Sequence, residues 1–203
     1  MQLYTAIPGI KVFLLTAAIV AFYAGTCGAQ NNADSSILDE GLAGKVFGTA
    51  VEHKHRTIHN KLNAEVIDST PDENLVAIVT DNVRLKVDKN LSNEYEVVMK
   101  QPEAVRSVYV VHQVEVEVNN GGFSRLFSGQ AHKFCQEAES AFKNIDAPLF
   151  TELIRKANQV YKEEGLCTKL KALDEEFYSL YDKEDIKKLK IDHIRKNKRA
   201  LQP

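Results

Sequence analysis

Glu115 and Glu117 stand two residues apart, and Asn119-Asn120-Gly121-Gly122-Phe123 follows almost at once. Paired carboxylates are the usual equipment of general acid–base chemistry. On a helix, residues two apart point about 200° away from each other. Glu115 and Glu117 therefore make no catalytic pair by local geometry, and one of them is expected to face solvent. Two adjacent glycines before a bulky aromatic read as a sharp reversal that then buries a ring, because glycine takes positive φ without a Cβ penalty. The chain also carries His53, His55 and His59 in an H-x-H-x3-H run. His55 and His59 share a helical face, which is compatible with a metal. Lys54, Arg56 and Lys61 surround them and no glutamate completes an HExxH arrangement, so a solvated face is expected instead. His112 lies among apolar neighbours and reads as a satisfied core or boundary histidine. Ser124 and Ser128 lack a nucleophile-elbow context, and no His/Asp order supports a triad. Gly121-Gly122 lacks the following Lys-Ser/Thr of a phosphate-binding loop. The three cysteines, Cys27, Cys135 and Cys167, show no zinc spacing. No catalytic residue, no metal and no cofactor is expected.

The elements that must position these residues read as helices. Pro102–Val118 gives conflicting signals. Val105, Val108, Tyr109, His112 and Val116 follow one helical face, whereas Val114, Val116 and Val118 alternate with Glu115 and Glu117 as a strand would. Asn-Gly is a hairpin signal, but no second strand follows. Gln130–Asn144 is helical in composition, with Ala131, Phe134, Cys135, Ala138 and Phe142 on one face. The segment is therefore predicted to be a helix against its local propensity. Upstream, Pro71 opens a helix carrying Leu75, Ile78, Val79, Val83 and Val87, closed by Ser92-Asn93. Downstream, Pro148 starts a helix with an apolar stripe from Leu149 to Tyr161, and Gly165 takes the C′ position. Leu170, Leu173, Phe177 and Leu180 continue to about Tyr181, and Lys183–Arg199 is a last, lysine-rich helix. The predicted fold class is all-α: a compact multi-helix domain over residues 72–203, preceded by a tether and helical extension over 30–71.

Residues 1–29 read as a separate, cleavable unit. Lys11 is the only charge before Asp34. Val12–Ala24 is an apolar run too short for a comfortable membrane span, and small residues follow it. This is the layout of a secretory signal peptide. Cleavage after Ala29 would release a periplasmic, envelope or secreted protein. Processing at Cys27 would instead leave a lipid anchor and a membrane tether at the N-terminus, although Thr26 stands where a lipobox has Gly or Ala. Export would permit a disulfide between Cys135 and Cys167, but both lie beside apolar positions, which favours buried free thiols. The formal net charge of the 203 residues is −2, which points to no nucleic-acid partner. Residues 30–182 hold 17 Lys/Arg against 25 Asp/Glu, while residues 183–203 hold 8 against 3. The basic tail reads as a solvated face, with anionic lipid or an acidic partner as the alternative.

Three ordered blocks between about Glu94 and Leu201 resemble the bacterial DNA-mimic-protein (DMP-type) C-terminal-domain family, a domain of unknown function. The first is Pro102–Phe127, in which Glu115, Glu117, Val118, Asn119, Asn120, Gly121, Gly122 and Phe123 follow the family's Glu-x-Glu-Val-Asn-Asn-Gly-Gly-Phe motif. The second is Ile145–Tyr161, and the third Leu173–Asn197. The resemblance implies an all-α fold, and it makes Glu115, Glu117, Asn119, Asn120, Gly121, Gly122 and Phe123 the candidate binding residues. It also implies a DNA-like surface that binds a DNA-binding protein. That role needs dense acidic patches, which this chain lacks. The expected function is a non-enzymatic module that binds an unknown protein partner, of the interaction, inhibitor or immunity type. The alternative is an envelope hydrolase with scattered catalytic residues. A pocket converging on Glu117 and His112 would favour the enzyme.

Overall fold

The computed structural model describes residues 57–201 of the chain. Contacts divide the chain into Met1–His55 and Arg56–Pro203, and the described residues lie in the second unit. The segment expected to be a signal peptide, Cys27, His53 and His55 fall outside the described residues. Among the described residues there are eight α-helices and no strand. They are α1 (Ala64–Ser69), α2 (Asp72–Arg84), α3 (Glu94–Met99), α4 (Glu103–Ser128), α5 (Cys135–Asn144), α6 (Pro148–Glu164), α7 (Lys169–Leu180) and α8 (Ile186–Lys196). Short 3₁₀ turns lie at Gln130–Phe134 and Lys198–Ala200. None of these helices is long and apolar enough to cross a membrane.

The centre of the unit is α4, which packs against α2, α3, α5, α7 and α8. Val105, Val108, Val110, Val111, Val114 and Val118 are all fully or almost fully buried, although they point around the helix rather than along one stripe. A helix apolar on all sides belongs in the middle of a core. That explains how a run rich in β-branched residues becomes helical here: burial against five neighbours outweighs a propensity difference of a few tenths of a kcal/mol per residue. The helical reading of Pro102–Val118 is thus what the structure contains. An aromatic cluster fills the far side of α4. Phe123, Phe142, Phe150 and Phe177 are wholly buried, and Phe150 meets Phe177 edge to face with centroids 5.0 Å apart. Such edge-to-face pairs add to the stabilisation that burial provides.

Side chains finish the helix ends. The Asn63 carboxamide accepts from Val66 N–H at 2.8 Å at the start of α1, and Asp185 accepts from Lys188 N–H at 2.9 Å at the start of α8. Glu184 accepts from the N–H groups of both Leu149 and Phe150, each at 3.1 Å. A carboxylate from the α7–α8 turn thereby meets the positive end of α6.

Three boundaries differ from the sequence reading, the last helix being Ile186–Lys196 where Lys183–Arg199 was expected. α2 stops at Arg84, not at Ser92-Asn93. The Asp88-Lys89-Asn90 stretch offers no apolar face, and Asn93 Oδ1 accepts from Asp88 N–H at 2.8 Å, holding a loop in place of a helical turn. The element predicted over Gln130–Asn144 is two pieces, a 3₁₀ turn and then α5.

Candidate functional site

The Asn-Asn-Gly-Gly-Phe segment is a break inside α4. Helical geometry runs to Asn120, fails at Gly121 (φ 175°, ψ 25°) and Gly122 (φ 71°, ψ −172°), and resumes to Ser128. The conformation of Gly122 is essentially reserved for glycine. Space reserves it as well, because a Cβ there would lie 2.6 Å from Asp174 Oδ1. That close approach lets the Asp174 carboxylate, on α7, accept from Phe123 N–H at 2.7 Å. Phe123 opens the second stretch of helix, so Asp174 does for it what an N-cap residue does for a free helix end. Tyr178 of α7 donates to the Val118 carbonyl at 2.9 Å on the other side of the break. Phe123 then enters the aromatic cluster, 5.8 Å from Phe177. The corner is therefore clamped on both sides by α7.

The remaining motif residues divide between core and surface. Asn119, Asn120 and Gly121 are exposed, and Asn119 Nδ2 donates to the Tyr181 hydroxyl at 3.1 Å. Neither glutamate faces solvent, which corrects the expectation that one would: both are 9% exposed. They do point apart, as helical geometry requires, and each meets its own cation. Glu115 pairs with Lys190 of α8, itself 6% exposed. Glu117 Oε2 accepts from Arg125 Nε at 2.8 Å, across the glycine break. Burial, with the Glu115 charge as a lesser cause, pushes the Tyr181 phenol well above its ordinary value.

Glu117 also borders a cleft of about 450 Å³. Its floor is one face of α4, where Gln113, Val116 and Glu117 follow at helical spacing. Arg84 of α2 also lines it, as do Val87, Asp88, Lys89 and Leu91 of the loop that follows. Glu94 lies inside, 5% exposed. It accepts from the Tyr109 hydroxyl at 2.6 Å and pairs with Lys133 at 2.6 Å. Two of the three carboxylates of the cleft, Glu94 and Glu117, are thus engaged by cations, while the third, Asp88, accepts from the Ser92 hydroxyl at 3.3 Å. Gln113 is 9% exposed, and its amide nitrogen is buried without a hydrogen-bond partner. His112 is half-buried and does not line this cleft. The pocket therefore takes in Glu117 but not the Glu117–His112 pair.

Residues 99–197 match the DMP19-like protein family. The chain carries a DMP19-like domain. Comparison with curated proteins and with solved structures gave no match. The matched stretch runs from the end of α3 into the close of α8, and it contains the whole glycine corner together with Lys190, Asp174 and Tyr178. The cleft is built partly from residues before it, since Arg84, Val87, Leu91 and Glu94 precede residue 99.

Other residues singled out in the sequence fall as follows. Cys135 and Cys167 are free thiols, so the disulfide considered for them is not formed; Cys135 is buried, whereas Cys167 is only half-buried. Burial, reinforced by Glu137, pushes the Cys135 thiol up to about 12. His59 is half-buried, and its carbonyl accepts from Asn82 Nδ2 at 2.8 Å. No group of three or more His, Cys, Asp or Glu side chains able to hold a metal occurs among the described residues. The basic tail is no solvated face on its inner side. Lys190 is buried against Glu115, Arg195 binds Asp72 and the carbonyls of Ile67 and Thr70, and Lys198 binds Asp68 at 2.7 Å.

Lys190, Asp174 and Gln113 were missed in the sequence. Lys190 could have been found, because it stands in the stripe of Ile186, Ile191 and Ile194, where an unpaired charge would be intolerable.

Proposed function

We propose that the DMP19-like domain is a non-catalytic protein-binding module. The observation that carries this reading is the division of labour in the motif. The chemically able groups, Glu115 and Glu117, are committed to ion pairs within the fold. Asn119, Asn120 and Gly121 stand exposed on a corner that α7 holds rigid from both sides. Rigid, exposed hydrogen-bonding groups lose little entropy on docking and suit recognition. Acid–base catalysis needs a titratable group free to move a proton, and two of the three cleft carboxylates, Glu94 and Glu117, are held by Lys133 and Arg125. A DNA-mimic role has little support here, because 22 Lys/Arg accompany 24 Asp/Glu between residues 57 and 201.

The proposal includes export. Its support is the lone Lys11, the apolar run Val12–Ala24 and the small residues up to Ala29. The partner is then a periplasmic, envelope or extracellular protein. The test is affinity capture from envelope extract with residues 30–203 as bait, read by mass spectrometry. A reproducible partner is expected, lost in the Asn119→Ala/Asn120→Ala variant with the fold intact by circular dichroism. Failure to recover any reproducible partner counts against the proposal, as does capture indifferent to the two asparagines.

A further inference from the structure

The loop between α2 and α3 carries a sequence pattern that neither the corner nor the cleft accounts for. It reads Asp88-Lys89-Asn90-Leu91-Ser92. Asn-x-Ser/Thr, with x not proline, is the acceptor pattern of N-glycosylation and belongs on surface loops of exported proteins. Of the thirteen asparagines in the chain, Asn90 alone has Ser or Thr two residues on. Asp88 stands two residues before it, which completes the longer pattern that bacterial oligosaccharyltransferases read. Asn90 precedes the stretch 99–197 that matches the family, so the pattern is no part of that match.

The pattern lies where an enzyme can reach it. All five residues are exposed. The Asn90 side chain is held through its oxygen: Oδ1 accepts from Ser92 N–H at 3.2 Å, and no hydrogen bond among the described residues engages Nδ2. That free nitrogen is the atom that has to react. The loop also opens at little cost. Leu91 N–H donates to the Asp88 carbonyl at 2.8 Å, Asp88 N–H to Asn93 Oδ1 at 2.8 Å, and Ser92 Oγ to Asp88 Oδ2 at 3.3 Å. Hydrogen bonds in exposed chain are readily exchanged for bonds to water. Leu91 sits at φ 59°, uncommon for a residue other than glycine, and straightening of the chain in an enzyme's groove relieves that strain.

We propose that Asn90 of the folded, exported protein is an N-glycosylation site, which takes an oligosaccharide from a polyprenyl diphosphate donor through a membrane oligosaccharyltransferase. In that transfer the bond from the sugar's anomeric carbon to the diphosphate oxygen breaks, and a bond from the same carbon to Asn90 Nδ2 forms. Polyprenyl diphosphate leaves with the electron pair, one Nδ2 proton passes to solvent, and nothing is oxidised or reduced. The site rests on the export reading, since donor and transferase meet their acceptors only outside the cytoplasm. Asp88, Lys89 and Leu91 line the cleft and Asn90 does not, so the glycan stands at the rim of the cleft and not inside it.

The test has two arms. In the first, the purified full chain is incubated with a bacterial oligosaccharyltransferase, a lipid-linked oligosaccharide and manganese, with a short Asp-x-Asn-x-Thr peptide as control acceptor. Intact-mass and peptide-mapping spectrometry are expected to show a single added glycan, carried on Asn90. Asn90→Gln and Ser92→Ala should lose it, Ser92→Thr should keep it, and Asp88→Ala should lose most of it. A chain that gains no glycan while the control peptide does overturns the proposal, as does a glycan that survives Asn90→Gln. In the second arm the full chain is made in bacterial cells that hold the same donor and transferase. Glycosylated protein is expected in the periplasm, and exported but unmodified protein overturns the proposal. Protein retained in the cytoplasm refutes export and with it the modification in the cell, a failure that the first arm tells apart from a defective acceptor.

Discussion

Replacing Gly122 by alanine tests the clamp between the α4 corner and α7, and Gly165 supplies an internal control. Both glycines have similar backbone angles: φ 71° and ψ −172° at Gly122, φ 67° and ψ −145° at Gly165. An L-residue there costs about 1–3 kcal/mol in backbone strain. Around Gly165 a new Cβ meets nothing within 4 Å, so Gly165→Ala should cost that strain alone. At Gly122 the Cβ would displace the Asp174 carboxylate and with it the bond to Phe123 N–H. Losing a helix-capping carboxylate costs about 0.5–2 kcal/mol more. Gly122→Ala should therefore destabilise by roughly 2–5 kcal/mol, which is about 5–15 °C in melting temperature for a domain of this size. Urea unfolding of both variants, followed by circular dichroism, measures the difference. In an Asp174→Ala background the two glycine substitutions should become equally costly, because the clash is gone while the strain remains. Equal cost already in the wild-type background would refute the clamp, as would a Gly122→Ala penalty unchanged by Asp174→Ala.

Glu115→Ala or Lys190→Ala alone should cost about 3–5 kcal/mol by leaving a buried charge unpaired, whereas Glu115→Leu with Lys190→Met should be close to neutral; chemical denaturation of the single and double variants distinguishes these outcomes. Cys167 should react with iodoacetamide at pH 8 well before Cys135, whose thiol is buried and pushed up to about 12; peptide mapping of partially labelled protein reads the order, and faster labelling of Cys135 would contradict its burial. His193 is held below its ordinary value, chiefly by burial, against the raising effect of its bond with the Asn144 backbone. The unfolded chain therefore binds this proton more readily than the folded one, so the His193 contribution makes stability fall as pH drops below about 6.5 and level off below the folded value. His193→Gln should flatten that part of the stability–pH curve, and an unchanged slope would refute the assignment.

Most of the helical architecture was legible from apolar spacing. The segment Val114–Val118 shows the limit. Its alternation of valine and glutamate has the period of a strand, and only the absence of a partner strand indicated a helix. Both glutamates proved to be inside, a result that period alone could not supply. Each is buried against a cation far away in sequence or across a backbone break, and spacing carries no information about such partners. Lys190, though missed, carried a usable signal, since a lysine within an isoleucine stripe needs a buried counter-ion. The glycine pair was legible as a reversal. That it interrupts one helix without ending it depends on Asp174, some fifty residues away, and no local pattern encodes that contact. The cleft was the least legible part, because a loop, three helices and a 3₁₀ turn each contribute only one to four residues to it.

The ties from Arg195 and Lys198 back to the first two helices carry a consequence for how the chain is made. Arg195 meets Asp72 and the carbonyls of Ile67 and Thr70, and Lys198 meets Asp68, across sequence separations of 123 to 130 residues. A ribosome delivers α1 and α2 well before their partner α8. For most of synthesis Ile67 and the inner face of α2 have no α8 to cover them. Contacts of such span also have the largest loop to close before they stabilise anything. Completion of this unit is thus deferred until Arg195 and Lys198 have been synthesised. A chain truncated before Arg195 would hold nearly all of its core residues and still lack the latch that joins its first helices to its last.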